Sequence, residues 1–228
     1  PDTCLPYIKD MIMNVLHTTL QNALEQIQGV HPLLHCISNI VTANDCANLA
    51  LAIGASPIMA QEPQEMPQIA ALARAVILNT GTPDEAKFQA AAIAGKTANQ
   101  LHIPVILDPV GIGASTWRLN HIHDLLSQVH PDILRVNLGE AKALLGQTGT
   151  EHGVDSLESF RSTETDFCAK ELANALHTVV LLSGEEDLVT DGIRLKRISG
   201  GSPLTRSVTG AGCMLSVLCG AFASIETT

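Results

Sequence analysis

The chain has 228 residues, enough for one large domain with a substantial core. Apolar residues make up 46% of it and aromatic residues only 3%, so the core must be built from Ala, Leu, Ile and Val, as in sheets covered by helices on both faces. A formal charge of −10 speaks against nucleic acid as the main partner, because nothing would neutralise its phosphates, yet it leaves room for a small anion at a local site.

Apolar residues at Ile12, Val15, Leu16, Leu20, Ala23, Leu24 and Ile27 recur with helical periodicity, and Gly29 is a natural stop. "LLHCI" (Leu33–Ile37) reads as a short buried strand. Thr42 is placed to cap a helix over Ala43–Ile53, which Gly54 ends. "SPIMA" is a further strand candidate. A helix follows over Met66–Arg74, with Pro67 tolerated in its first turn. "AVILN" (Ala75–Asn79) is a strand, and Pro83 opens a long Ala-rich helix to about Leu101. "PVILD" (Pro104–Asp108) is the next strand, followed by the loop "PVGIGAS". A helix near Leu119–Val129 leads to the strand "DILRV" (Asp132–Val136), and "GEAKALLG" is a short helix. Gln147–Asp166 is polar and irregular and reads as an exposed excursion. "TVVLLS" (Thr178–Ser183) is another apolar strand. "DLVTDGIRLKRI" is a hairpin, with Asp191-Gly192 suited to a tight primed turn. The final helix runs from about Gly212.

Strands that alternate with helices predict an α/β fold with a mostly parallel sheet and helices on both faces, in one domain over residues 1–228. In such sheets the ligand sits outside the carboxyl ends of the strands. Polar and glycine residues follow the strands at those ends: Asn39, Asn79-Thr80-Gly81, Asp108-Pro109, Asn137 and Ser183-Gly184.

The six cysteines form no C-x-x-C pair and no Cys/His cluster with zinc spacing, so reduced thiols are expected. The N-terminus has no basic flank before its first apolar stretch and does not read as a signal peptide. The longest apolar runs fall short of a membrane span. The expected setting is the cytoplasm. "AGKT" (Ala94–Thr97) lacks the upstream glycine of a P-loop and lies inside a helix. "GIGAST" (Gly111–Thr116) has Thr116 where a dinucleotide fingerprint needs its third glycine. His121 and His123 are two apart on a helix and point away from each other.

"TGAGC" (Thr209–Cys213) has the making of an anion site. Gly210 and Gly212 permit unusual dihedrals and close approach, and the helix that follows has unpaired amides at its start. A glycine turn used only for packing is the equal alternative. Two carboxylates shift the balance. Asp108 ends a strand in "LDPVG", and Glu140 stands in "NLGE" just beyond another strand. Together they suit magnesium held partly through water and partly by phosphate oxygens. The plain alternatives are a loop-capping carboxylate for Asp108 and a first-turn helix acid for Glu140. Arg135 interrupts an apolar strand near its end, either to clamp phosphates or to pair with a nearby acid. An anion cradle, a metal site and a cationic clamp are the parts of phosphoryl transfer.

"PLLHCISNIVTANDCANLALAIGASPIMA", "PVILDPVGIGAS", "LRVNLGEAKALLG", "LLSGEEDLVTDG" and "SVTGAGCMLS" resemble, in order, the hydroxyethylthiazole kinase family of the ribokinase-like superfamily. The resemblance covers the chain from about His31 to its end. It implies a ribokinase-like fold and magnesium-dependent transfer of phosphate from ATP to the hydroxyl of 4-methyl-5-(2-hydroxyethyl)thiazole, within thiamine biosynthesis or salvage. It also implies a homotrimer with sites at subunit interfaces. Carried across, Arg135 and Ser183 would contact ATP, and Asp108 and Glu140 would organise magnesium. Ala43, Gly210 and Asn39 would lie against the thiazole alcohol. Ala211, Gly212 and Cys213 would form the catalytic anion hole, with Cys213 where the wider superfamily carries an aspartate base. Amides at a helix start favour thiolate, and a dissociative transfer needs little help from a base.

Departures from the family pattern are Ala43 for Met, Ser183 for Thr, Arg135-Val136-Asn137 for "RGN" and "NLGE" for "NASE". Ala43 would enlarge the thiazole pocket or leave its fit to a neighbouring subunit. Val136 removes a flexible position beside the phosphate clamp. Family members usually continue for some tens of residues past this last helix, so the resemblance implies a missing end or abbreviated final helices. The alternatives are another ribokinase-like kinase of a vitamin alcohol, or an inactive thiazole- or nucleotide-binding protein.

Overall fold

A computed structural model describes residues 4–147 and 158–225, with side chains for 16–147, 163–205 and 207–225. Helix α1 (Cys4–Val30) leads into β1 (Leu33–Ile37), α2 (Ala43–Ala52), β2 (Ser56–Ile58), α3 (Met66–Leu72) and β3 (Ala75–Asn79). Then come α4 (Glu85–Gln100), β4 (Val105–Asp108), a short helical turn at Ile112–Ala114, α5 (Thr116–Leu126) and β5 (Ile133–Asn137). The chain continues through α6 (Leu138–Leu144), α7 (Glu158–Leu176), β6 (Val179–Ser183), β7 (Asp187–Thr190) and β8 (Leu195–Ile198). A helical turn at Pro203–Ser207 precedes α8 (Ala211–Ala223).

Among the described residues eight strands form one sheet in the order β2-β1-β3-β4-β5-β6-β7-β8. Pairings from β2 to β6 are parallel, and β7 and β8 add an antiparallel edge. The chain moves outward from β1 to β2 and then returns past β1 to β3. The order therefore reverses around β1, which is where a crevice opens at the carboxyl ends of a parallel sheet. Register brings Asn79 opposite Asp108 and Asn137 opposite Ser183, so the polar strand ends lie in one row.

β3 is buried at every position, because helices cover both of its faces. On one face, Ile37, Val76, Leu78, Leu107, Leu134 and Val180 pack against the alanines of α4 and the buried stripe of α7. On the other, Cys36, Ile77 and Ile106 meet Ile27, Cys46, Val217 and Ala221 from α1, α2 and α8. Side chains such as Leu78 and Ile106, fully buried, each contribute roughly 1.5–3 kcal/mol by leaving water. The glycine of "AGKT" belongs to this packing. A Cβ on Gly95 would come within 2.5 Å of Val129 Cγ1, so the motif seats α4 rather than a phosphate.

Several boundaries differ from the sequence expectation. Helix α1 runs through Gly29 and stops at His31, whose φ of 49° takes the left-handed turn while its amide bonds the Ile27 carbonyl. Helix α3 ends before Arg74, and α4 begins after Asp84, whose carboxylate caps it by accepting the Lys87 amide. Ser115 starts α5 three residues earlier than expected by accepting the Arg118 amide. Thr42 precedes α2 but makes no side-chain cap. The hairpin between β7 and β8 turns through Asp191–Arg194, held by the Asp191 carboxylate on the Ile193 and Arg194 amides, and is not a two-residue turn.

The largest difference is α7, where Glu158–Asp166 are helical instead of irregular. Residues 148–157 of that segment lie outside the described residues. Thr163 and Glu164 are exposed and Thr165 and Asp166 half-buried, so this polar stretch offers no apolar period by which to recognise a helix. Ion pairs Lys142–Glu164 and Arg197–Asp166 tie it down instead.

Candidate active site

Helix α8 opens without a side-chain cap. Gly210 holds φ 82° immediately before it. A Cβ there would lie 2.5 Å from Thr42 Cγ2, so both the dihedral and the space require glycine. The Ala211 amide makes a long bond of 3.4 Å to the Val208 carbonyl, and an uncapped helix start of this kind favours negative charge.

Arg135 of β5 lies against this start. A Cβ on Gly212 would meet its Nη2, Cζ and Nη1 at 2.6–2.7 Å. The guanidinium donates to Ser183 Oγ at 2.6 Å and faces Asp108 Oδ1 at 3.4 Å. Its Nε is buried and has no partner among the described residues. A buried cation with an unpaired N–H at an open helix start is a cradle for an anion.

Asp108 ends β4 with no exposure to solvent. Its Oδ2 accepts from Asn79 Nδ2 at 2.9 Å and from Ser216 Oγ at 2.8 Å. Burial pushes its carboxyl up to about 6; Arg135 and Ser216 oppose that rise, and the nearby Glu140 charge adds to it. Glu140 lies in the first turn of α6. Its Oε2 accepts the Asn137 amide and its Oε1 the Gly111 amide, both at 2.9 Å, while Asn137 returns a bond to the Glu140 amide. This reciprocal capping box gives Glu140 the helix-acid role that the sequence left open.

Both acids thus already hold donors, which leaves lone pairs for a hydrated ion rather than a closed protein cage. Among the described residues no group of three or more His, Cys, Asp or Glu could hold a metal by itself. A magnesium ion that shares its ligands with phosphate oxygens and water fits this donor set.

Asn39 follows β1 and is 4% exposed. Its Oδ1 accepts the Val41 and Thr42 amides, and its Nδ2 donates to Asn79 Oδ1 at 3.1 Å and to Cys213 Sγ at 3.3 Å. Ala43 begins α2 beside Thr42 and is half-buried. Asn39, Asp108, Arg135, Ser183, Gly210, Gly212 and Cys213 are therefore joined by contacts, with Ala211 between the glycines. Glu140 reaches the group through the Asn137 and Gly111 backbone. His121 and His123 take no part. His121 stacks on Trp117 and Phe88 and faces Glu85.

Sequence reading missed Ser216, Asn79 as an acceptor and donor, and Lys87. Ser216 had a signal, since it stands one turn after Gly212 on the same helix face. Lys87 had none, because a lysine in an Ala-rich helix reads as solvent-facing.

The sequence matches the "Hydroxyethylthiazole kinase family" over residues 24–228. It is 42% identical to the hydroxyethylthiazole kinase of Listeria monocytogenes serotype 4a over 203 residues, which covers 89% of this chain and 75% of that protein. The fold is similar to the structure of the Pyrococcus horikoshii OT3 hydroxyethylthiazole kinase protein, with TM-score 0.81, 36% identity and coverage of 90% of this chain and 76% of that one. A ribokinase-like superfamily protein of Enterococcus faecalis V583 shares the fold alone, with TM-score 0.58, 11% identity and coverage of 86% and 72%. With a parallel sheet of ribokinase-like form, and with family similarity along most of its length, this chain belongs to the hydroxyethylthiazole kinase family.

Proposed function

We propose that this protein transfers phosphate from ATP to the hydroxyl of 4-methyl-5-(2-hydroxyethyl)thiazole, a step of thiamine biosynthesis or salvage, through one ribokinase-like kinase domain over residues 1–228. The observation that carries the reading is the uncapped start of α8 with Arg135 laid against it, its Nε unpaired. Kinase-family membership supports ATP as donor.

In the reaction the alcohol oxygen forms a bond to the γ-phosphorus while the bond from that phosphorus to the ADP oxygen breaks. The moving group is loosely bonded and its charge spreads over its peripheral oxygens, so catalysis rests on positioning and charge. The amides of Ala211, Gly212 and Cys213 receive that charge from one side. Arg135 receives it from the other and, with Ser183, orients the nucleotide. Asp108 and Glu140 would hold magnesium, which screens phosphate charge when bound. Asn39, Ala43 and Gly210 orient the thiazole alcohol. Cys213, steadied by Asn39, stands where the hydroxyl proton leaves.

Ile40, Val41 and Val208 are 83%, 60% and 53% exposed and stand within two residues of Asn39 or Gly210 in the chain. Apolar residues so placed support a homotrimer that closes each site with a neighbouring subunit. Among the described residues no helix is long and apolar enough to cross a membrane.

The test is incubation of purified protein with ATP, magnesium and the thiazole alcohol, with ADP release and the phosphorylated product both measured. Product above the level given by pyrimidine and pyridoxal alcohols supports the assignment. Preference for one of those alcohols moves the protein to another vitamin kinase, and binding without transfer makes it an inactive binder.

A further inference from the structure

Lys87 is the third residue of α4 and is 6% exposed. Lysine is almost never this buried unless paired. Its position is unfavourable for a cation in a second way, because a helix N-terminus carries partial positive charge. Its ammonium nonetheless meets neutral oxygens instead of a carboxylate. It donates to the Ser38 carbonyl at 2.9 Å and the Gly81 carbonyl at 2.8 Å, with the Thr82 carbonyl at 3.3 Å and Thr82 Oγ1 at 3.4 Å. Burial lowers the amine below its ordinary range, and Asp84 partly offsets this.

Those oxygens come from two loops. Ser38 immediately precedes Asn39, and Gly81 and Thr82 follow Asn79 after one residue. The loops leave β1 and β3, neighbours at the point where the strand order reverses. Thr82 is a β-branched residue at φ 43°, a conformation that persists only when its surroundings over-determine it. Lys87 binds both its carbonyl and its hydroxyl, and the same hydroxyl accepts the Ile40 amide at 3.1 Å. Past the loops, Asn39 bridges to Asn79 and to Cys213. Contacts thus run from one buried ammonium to the position of Cys213.

We infer that Lys87 is a positioning residue for the acceptor-alcohol half of the site, its ammonium clamping the loops after β1 and β3 so that Asn39 is held against Cys213. The inference rests on the kinase reading for which half of the reaction it serves. Arg135 and Ser183, on β5 and β6, do not bond the clamped loops and meet them only through Asp108 and Asn79, so the larger effect falls on the alcohol.

The experiment compares wild type, Lys87→Ala and Lys87→Met, with KM measured separately for the thiazole alcohol and for ATP. Loss of the clamp raises the alcohol KM by about tenfold or more while the ATP KM stays within about twofold. Propylammonium replaces the missing atoms in Lys87→Ala and restores its alcohol KM. It does not restore Lys87→Met, whose own side chain fills the space. A second readout needs no turnover: iodoacetamide labelling of Cys213, followed by peptide mass spectrometry, speeds up in both variants and slows with propylammonium in Lys87→Ala alone. Unchanged alcohol KM and unchanged Cys213 labelling would overturn the inference. So would a parallel rise of both KM values that the amine does not reverse, since that marks support of the fold alone. If wild type turns over no thiazole alcohol, the kinase reading fails, and the Cys213 labelling still decides the clamp.

Discussion

Helices α6 and α8 both begin beside the polar row of strand ends, yet their N-termini are finished in opposite ways. Helix α6 closes itself: Asn137 and Glu140 bond each other's backbone amides, and Gly111 occupies the remaining Glu140 oxygen. Helix α8 has a left-handed glycine at the same position and no side chain on its amides. Its nearest charge is a cation, Arg135, where a stabilising cap would be an anion or a neutral oxygen. One terminus is satisfied within the protein, and the other lacks a side-chain cap, as the proposed anion site requires. The glycine-rich turn is informative here because, among the described residues, no side chain caps the helix that follows it.

The strongest way to break this comparison is to close α8. Gly212→Val sets side-chain carbons where the Arg135 guanidinium now lies, and we expect kcat to fall by about a hundredfold or more with the fold retained. A circular dichroism spectrum like wild type with no loss of turnover would place the anion elsewhere. Arg135→Lys comes next. It keeps the charge but loses the planar fork, so turnover should drop by roughly tenfold to a hundredfold, with a raised KM for ATP.

Asp108 predicts a pH effect. Its carboxyl is raised from the ordinary 3.8 to about 6, so the proton is retained well above the usual range. Ionised Asp108 is the form suited to a divalent ion, and kcat/KM for the free enzyme should fall about tenfold per unit below that value. Stability carries the opposite sign. With its folded pKa above the unfolded one, Asp108 contributes stability that is fully present below about 3.8 and lost as pH rises through about 6. Paired activity and melting profiles check both directions.

At the closed terminus the expected effect is on folding. Asn137→Ala removes the cap of α6 and should cost about 1 kcal/mol in urea unfolding, with turnover changed only a fewfold. The smallest effect is expected for Cys213→Asp. The new carboxylate can accept the Asn39 Nδ2 bond that Sγ now takes, so turnover should be kept or raised. Abolished activity in a folded Cys213→Asp protein would show that the thiol does more than orient the alcohol.

Much of this was legible in the sequence. Eight strands could be read: β1 to β6 from short runs bounded by polar or turn residues, and β7 and β8 as the two arms of a hairpin. Asp108, Arg135, Cys213 and the two glycines announced themselves as a charge, a thiol or a turn residue at the end of an apolar element. Helix α7 was not legible, because its polar first half shows no apolar period and Glu164 and Asp166 are held there by ion pairs. The two acids were half legible: the helix-acid alternative for Glu140 stood in the sequence, whereas the burial of Asp108 at the end of β4, bonded to Asn79 and Ser216, did not.

By itself, then, the sequence determined the layered α/β class and which residues stand at the carboxyl ends of its strands. Periodicity and turn chemistry act over a few residues and are written along the chain. Only the tertiary structure decided that Ser216 reaches Asp108, that Glu140 serves backbone amides, and that Lys87 enters a cage of carbonyls. Each of those depends on where side chains from distant segments meet in space, and on what burial then leaves them to bond.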